Sequence, residues 1–211
     1  MTNLLNADLH CHSTVSDGTL TPEAVAERAA KNGVDLWALT DHDELKGISR
    51  ARAAAKANGM KYLTGVEISV SFADKTVHIV GLGFDETNPQ LVAGLESVRG
   101  GRLERAREMS DGLAKVGIKG ALDGAMQYVG NPDLISRSHF ARHLVATGVC
   151  LDTNSVFRKY LTEGNPGFVE HKWAKLKDAV TWIVEAGGEA VIAHPGRYGF
   201  SANVEYALFT D

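Results

Sequence analysis

Val34-Asp35-Leu36-Trp37-Ala38-Leu39-Thr40-Asp41-His42-Asp43 is a short apolar run that ends in a cluster of chemically active side chains. Its length and bulky residues read as a buried strand, with the polar tetrad at its carboxyl end. The flanking segments read as helices. Before it, Thr21-Pro22-Glu23 has the form of N-cap, first-turn proline and acidic first turn, and Val25, Ala26, Ala29 and Ala30 line a narrow apolar face that stops at Gly33. After it, an Ala-rich helix runs through Lys56 and closes at Gly59. Strands follow at Tyr62 to Ser71 and Val77 to Leu82. This alternation predicts an α/β fold of parallel strands with right-handed crossovers and chemistry at the strands' carboxyl ends.

From Asn88-Pro89 the rhythm changes. One long Arg- and Glu-rich helix is expected to about Gly117, then helical segments at Leu122 to Val129, Ser136 to Thr147 and Asn154 to Leu161. The alternation resumes with Leu176, Ala179, Val180, Ile183 and Val184 at helical spacing, and with the strand Ala190-Val191-Ile192-Ala193, which delivers His194. The expected organisation is an α/β body in residues 1–88, an all-helical insertion in 89–167 and a return to the body in 168–211.

The 211 residues are 44% hydrophobic and 23% charged, enough to bury one core with an inserted subdomain. A formal charge of -4 argues against general duplex nucleic-acid binding and leaves only local basic pockets. Cys11 and Cys150 stand outside any CxxC spacing, so no disulfide framework is indicated and a cytoplasmic setting is expected. No window has the apolar length of a membrane span and no targeting signal is read, so no membrane partner is expected.

In His10-Cys11-His12 an extended backbone turns both imidazoles to one face and Cys11 to the other, so that two ligands can chelate one ion. Alone the pair reads equally well as two partly buried polar histidines; Asp8 and Asp17 on either side favour a metal. Asp8 also reads as a carboxylate that orients a ligand imidazole. In Asp41-His42-Asp43, the last residue is expected to cap the following helix, and its neighbours to serve the metal as ligand or support. Glu67 lies in an apolar, β-branched strand where an unpaired carboxylate would be costly, so a role bridging two ions is expected. His78 between Val77 and Ile79 would alone read as a core histidine; the company of the other donors makes it a ligand. Such donors suit Mn²⁺, Zn²⁺ or Fe²⁺.

Together, His10-Cys11-His12-Ser13, Ser16-Asp17-Gly18-Thr19, Thr40-Asp41-His42-Asp43, Gly65-Val66-Glu67 and His194-Pro195 resemble the polymerase and histidinol phosphatase (PHP) family of metal-dependent phosphoesterases, in the amidohydrolase superfamily. The resemblance covers essentially the whole chain. It implies a distorted (β/α)7 barrel holding up to three divalent ions, Mn²⁺ foremost. By this likeness His10 and His12 share one ion with Glu67, Glu67 bridges to a second held by His78 and His194, and Asp17 and His42 take a third. Asp8 and Asp41 stand behind these ligands. The insertion, with the stretch from Ile135 to Leu144, looks most like the branch that removes the 3′-phosphate from nucleoside 3′,5′-bisphosphates, whose relatives trim short 5′-phosphorylated RNA. The implied partner is a small nucleotide or short 5′-phosphorylated oligonucleotide. Family members close the site with an Asp-x-His segment; the chain ends at Phe209-Thr210-Asp211 without one, and a C-terminally truncated barrel is expected.

Arg99, Arg102 and Arg105 recur every three residues, and Ser136-Arg137-Ser138 opens another helix. Arg102, Arg105, Arg137 and Ser138 are the candidates for holding a non-reacting phosphate, which guanidinium grips in bidentate fashion. Arg107 beside Glu104 and Glu108 reads as a solvated face. The expected mechanism is hydrolysis by a metal-bound hydroxide without a covalent phosphoenzyme. A histidinol-phosphate-type phosphatase, a DNA exonuclease and a non-catalytic phosphate-binding module are the alternative readings.

Overall fold

The computed structural model describes residues 5–210 of the chain. Among them are seven strands: β1 (Ala7–Asp8), β2 (Leu36–Ala38), β3 (Lys61–Leu63), β4 (Gly65–Phe72), β5 (Lys75–Leu82), β6 (Ala174–Lys175) and β7 (Glu189–Ile192). They form a parallel sheet β1-β2-β3 and a mixed sheet β6-β4-β5-β7, giving the α/β, barrel-like architecture expected from the sequence. No described helix is long and apolar enough to cross a membrane.

Between Tyr62 and Leu82 the strands depart from the expected parallel run. The segment splits at Thr64, with β3 in one sheet and β4 in the other, and β4 turns back into β5 as an antiparallel hairpin. β7 is also antiparallel to β5. Loop length explains the hairpin, since a parallel connection needs a dozen or more residues and only Ala73 and Asp74 lie between the strands. Their φ values of 46° and 59° are both positive, as a tight two-residue hairpin turn demands.

Helix α1 (Pro22–Lys31) begins as its sequence requires, with Thr21 Oγ1 accepting from Ala24 N at 3.3 Å. It shares an apolar cluster with α2 (Ile48–Ala57), Trp37 and Leu39. The helix expected from Pro89 to Gly117 is instead two, α3 (Pro89–Arg99) and α4 (Arg102–Lys115), broken at Gly100-Gly101. Consecutive glycines lose the most entropy on helix formation and offer no side chain to pack in return. The series continues with α5 (Ala121–Met126), α6 (Arg137–Ala146), α7 (Thr153–Val156), α8 (Leu176–Glu185) and α9 (Ala202–Thr210). The helix expected from Asn154 to Leu161 is α7 running into a π-helical turn at Phe157–Leu161.

The chain forms two compact units: one comprises the chain up to Val98 and from Lys172 onward, the other Arg99–His171. The second unit's regular structure is helical throughout, around Met109, Leu113, Phe140, Leu144, Val156 and Leu161. In the first, alternation along the hairpin decides everything. Val66, Ile68 and Val70 of β4 and Val77 and Ile79 of β5 enter a core with Leu91 and Leu95 of α3 and Leu176 and Ile183 of α8. The intervening positions, Glu67, Ser69 and His78, therefore project from the opposite face.

Helix α3 approaches α8 closely at Gly94, where an added Cβ would lie 2.5 Å from Trp182 Cδ2. Gly94→Ala should destabilise the chain by about 1–3 kcal/mol, read as a lower denaturant midpoint. An unchanged midpoint would mean that the indole turns aside freely.

Candidate metal centre

Backbone pairing brings distant segments to Glu67. Glu67 N donates to Asp41 O at 3.2 Å and Asp43 N to Glu67 O at 3.0 Å, a parallel bridge that sets His42 beside Glu67. The extended segment carrying His10 and His12 hangs on Thr40. Thr40 N donates to Cys11 O at 2.9 Å, and Thr40 Oγ1 accepts from Cys11 N at 3.1 Å. In the hairpin, Glu67 pairs with Val80 and Ser69 with His78, so His78 is the diagonal cross-strand neighbour of Glu67 on the same face. His194 follows β7 in a left-handed conformation, φ 34° and ψ 54°, tolerated by few residues other than glycine and concentrated at functional sites.

The Glu67 side chain is 1% exposed and five imidazoles surround it. His10 Nε2 and His194 Nε2 lie 3.1 Å, and His78 Nδ1 3.3 Å, from Oε1. His12 Nε2 at 3.1 Å and His42 Nδ1 at 3.3 Å face Oε2. Asp17 Oδ1 stands 4.0 Å from His42 Nε2. Burying an ionised carboxylate costs several kcal/mol, more than the roughly 1.5–3 kcal/mol returned by an apolar side chain. The ring of imidazoles offsets it: burial would raise the Glu67 pKa, but His42 and hydrogen bonds from His10, His12 and His194 hold it far below the carboxylate range. Burial lowers His42 to about 4 despite Glu67 and Asp17, leaving a neutral ring able to ligate. Burial acts the same way on His12, but Glu67 and then Asp17 and Asp41 outweigh it and raise its pKa.

The donor set fits a cation. The buried Nδ1 atoms of His42 and His78 face Glu67 without making a hydrogen bond, and orphaned polar atoms of this kind call for an ion or water. Two groups could each hold a metal, His10-Glu67-His194 and His12-His42-Glu67, sharing the one carboxylate. These two groups place His10 and His12 apart, whereas the resemblance implies that they share an ion. Their two-residue spacing delivers one imidazole to each carboxylate oxygen.

Of the aspartates, Asp43 does other work than expected. Asp43 caps no helix: it sits at φ 51°, and its carboxylate accepts from Ser69 N at 2.7 Å and Ser69 Oγ at 3.0 Å. Helix α2 starts only at Ile48, with no side-chain cap at Gly47. Asp41 accepts from Ser13 N and Ser13 Oγ at 2.7 Å and from Ser16 Oγ at 2.6 Å, so it supports the site by clamping the turn between His12 and Asp17. In that turn a Cβ on Gly18 would lie 2.4 Å from His12 O, which excludes any other residue. Asp8 ends β1, and no described imidazole hydrogen-bonds to it. Cys11 faces away: its Sγ donates to Ala38 O and accepts from Trp37 Nε1, and burial pushes the thiol up to about 12.

In the second unit, Arg102 and Arg105 are buried on α4. Arg105 Nε donates to Val169 O at 3.2 Å, and burial with the neighbouring Arg137 and Arg102 lowers Arg105 to about 9. Arg137 opens α6 beneath the Phe157 ring, 5.9 Å to the centroid, and Ser138 is the second residue of that helix. His139 is buried and accepts from Ser136 N at 3.0 Å, so it caps its helix. Sequence reasoning missed Ser13, Ser16 and Ser69, which hold the two aspartates, and Tyr198, whose hydroxyl lies between His78 and Ala193. The serines had a faint signal in their spacing from the ligands; Tyr198 had none.

The PHP domain model matches residues 8–192 of this chain. A 3′,5′-nucleoside bisphosphate phosphatase from Chromobacterium violaceum is 56% identical over 208 residues, 99% of this chain and 73% of the relative. A 5′-3′ exoribonuclease from Haemophilus influenzae is 43% identical over 204 residues, 97% of this chain and 74% of the relative. Among solved structures, an amidohydrolase from Chromobacterium violaceum with bound sulfate and no metal matches with a TM-score of 0.96 and 57% identity, covering 98% of this chain and 72% of that one. A Bifidobacterium adolescentis protein described as a metal-dependent phosphoesterase matches with a TM-score of 0.87 and 29% identity, over 97% and 73%.

Two substitutions separate ligand from support. Glu67→Gln should abolish stoichiometric uptake of Mn²⁺ or Zn²⁺, measured by metal analysis after dialysis; full retention would contradict its bridging place. Asp41→Ala leaves three donor groups of Ser13 and Ser16 without their acceptor and should cost about 1–3 kcal/mol in denaturant unfolding of the metal-free chain.

Proposed function

The chain belongs to the PHP family, and from that premise we propose that it is a metal-dependent phosphoesterase that hydrolyses the 3′-phosphate of nucleoside 3′,5′-bisphosphates and trims short 5′-phosphorylated RNA. The observation that carries the reading is the convergence of five imidazoles on the buried Glu67. The substrate class is supported by the activities for which the Chromobacterium violaceum and Haemophilus influenzae relatives are named.

In this reading His10, His12, Asp17, His42, Glu67, His78 and His194 hold up to three ions, Mn²⁺ in preference to Zn²⁺ or Fe²⁺. When bound, such ions supply Lewis-acid chemistry: they bring the pKa of water within reach of neutral pH and neutralise charge on the phosphoryl oxygens during in-line displacement. The protein's share is positioning. Five neutral donors and two carboxylates leave a loaded centre net positive, which favours a phosphate dianion. The Cys11 thiol, at about 12 and turned away, is no nucleophile, in keeping with direct attack by water. Asp41 keeps His12 and Asp17 in place through the serine turn, and Asp8, at the end of β1 just before His10, is a further support.

We assign the non-reacting 5′-phosphate to Arg102, Arg105, Arg137 and Ser138. The support is electrostatic: burial and mutual repulsion already depress Arg105, and a dianion relieves both. With net charge -4 the chain is read as binding mononucleotides and short single strands, not duplexes, and its sparing use of cysteine as that of a cytoplasmic enzyme.

The test is a panel of adenosine 3′,5′-bisphosphate, short 5′-phosphorylated RNA, short DNA and histidinol phosphate, each with Mn²⁺. Turnover of the first two is expected; turnover of histidinol phosphate or DNA alone moves the chain to another branch, and none at all, with metal bound, makes it a binding module. Arg137→Ala should lower kcat/KM on the bisphosphate about tenfold to a hundredfold while sparing a plain 3′-monophosphate. Equal losses on both would remove Arg137 from the phosphate.

A further inference from the structure

We infer that Tyr198 is a positioning residue for His78 and His194, its hydroxyl spliced into the β5–β7 ladder where the two imidazoles leave it. The inference rests on reading those histidines as metal ligands.

Opposed residues of an antiparallel pair alternate between exchanging two backbone hydrogen bonds and exchanging none. The register Val80↔Val191 and Ile79↔Ile192 puts Ala193 opposite His78 at the next step. Ala193 N donates to His78 O at 3.0 Å, so this pair is of the exchanging kind. Its second bond should run from His78 N to Ala193 O. Instead His78 N donates to Tyr198 Oη at 2.9 Å, and Tyr198 Oη donates onward to Ala193 O at 3.0 Å. The hydroxyl takes the place of the direct bond and wedges the ladder open on one side only.

The wedge solves a problem of parity. Side chains alternate along a strand, so a regular continuation of β7 would send His194 to the face of Ile192 and Ile79, which lies against the apolar core. His78 is on the other face. The chain leaves the ladder after Ala193, and His194, at φ 34° and ψ 54°, turns over to the side of His78. His194 Nε2 then reaches Glu67 Oε1 at 3.1 Å, the same oxygen that His78 Nδ1 meets at 3.3 Å. The hydroxyl thus sets the spacing of two imidazoles that share one carboxylate oxygen.

Tyr198 is itself held from the hairpin. Lys75 Nζ donates to Tyr198 O at 2.8 Å and stands 5.2 Å from the centroid of the Phe200 ring, which packs on both Tyr198 and Phe72. Lys75 and Phe72 are the two hairpin residues flanking its turn, so the same tight turn that forms the hairpin anchors the wedge.

Tyr198→Phe keeps the ring and removes only the bridge. In the metal-free chain the imidazole NMR signals of His78 and His194 should move while those of His12 and His42 stay. Affinity for Mn²⁺, measured by competition with a chelator, should fall about tenfold or more, a larger effect than any loss of stability of the metal-free chain. Unmoved His78 and His194 signals, or unchanged affinity, would overturn the assignment, as would an affinity loss no larger than the loss of stability. A wild-type chain that takes up no divalent ion would instead overturn the phosphoesterase reading, and the metal-free imidazole signals would still decide the role of Tyr198.

Discussion

A carboxylate buried in a strand of branched aliphatic residues has to be neutralised, and the site is organised by how Glu67 meets that demand. Its strand neighbours Val66 and Ile68 are fully buried, so the strand cannot shift to expose it without exposing them. The charge must be matched where it stands. Five imidazoles brought from four separate segments surround it there, each with a ring nitrogen turned to one of its two oxygens. Under the proposed reading, ions held by neutral nitrogen donors with so few carboxylates would leave the centre positive, the electrostatic condition for gathering a phosphate.

The imidazoles are held by groups that are not themselves ligands. Thr40 replaces a main-chain partner for Cys11, Asp41 closes the serine turn, and Asp43 ties its loop to Ser69. The tyrosine bridge completes the set on the opposite side. Carboxylates and hydroxyls make these ties because they satisfy several donors at once at points where the strand ladder is interrupted. The strain of positive φ at Asp43 and His194 falls at two such interruptions.

Much of this was legible in the residues. Thr21-Pro22 and Gly33 bracket the first helix, and the donor segments carry recognisable chemistry because metal ligation draws on few side-chain types. Glu67 stood out since a charge amid β-branched residues contradicts its surroundings. What misled was range. Asp43 has every local mark of a cap, yet Ser69, twenty-six residues away, offers it two donors. The long helix reads as continuous until Gly100-Gly101 is weighed as a break, and the π-helical turn at Phe157–Leu161 has no marker in composition.

By itself, then, the sequence determined which side chains carry metal-binding chemistry, because ligand chemistry is a property of residue type, and that strands and helices alternate, because periodicity is local. Only the tertiary structure decided the strand directions around Glu67, which imidazole meets which oxygen, and that a tyrosine 120 residues from His78 completes its ladder. These depend on register and on the parity of side chains across paired strands, and register is settled by partners that no local window contains.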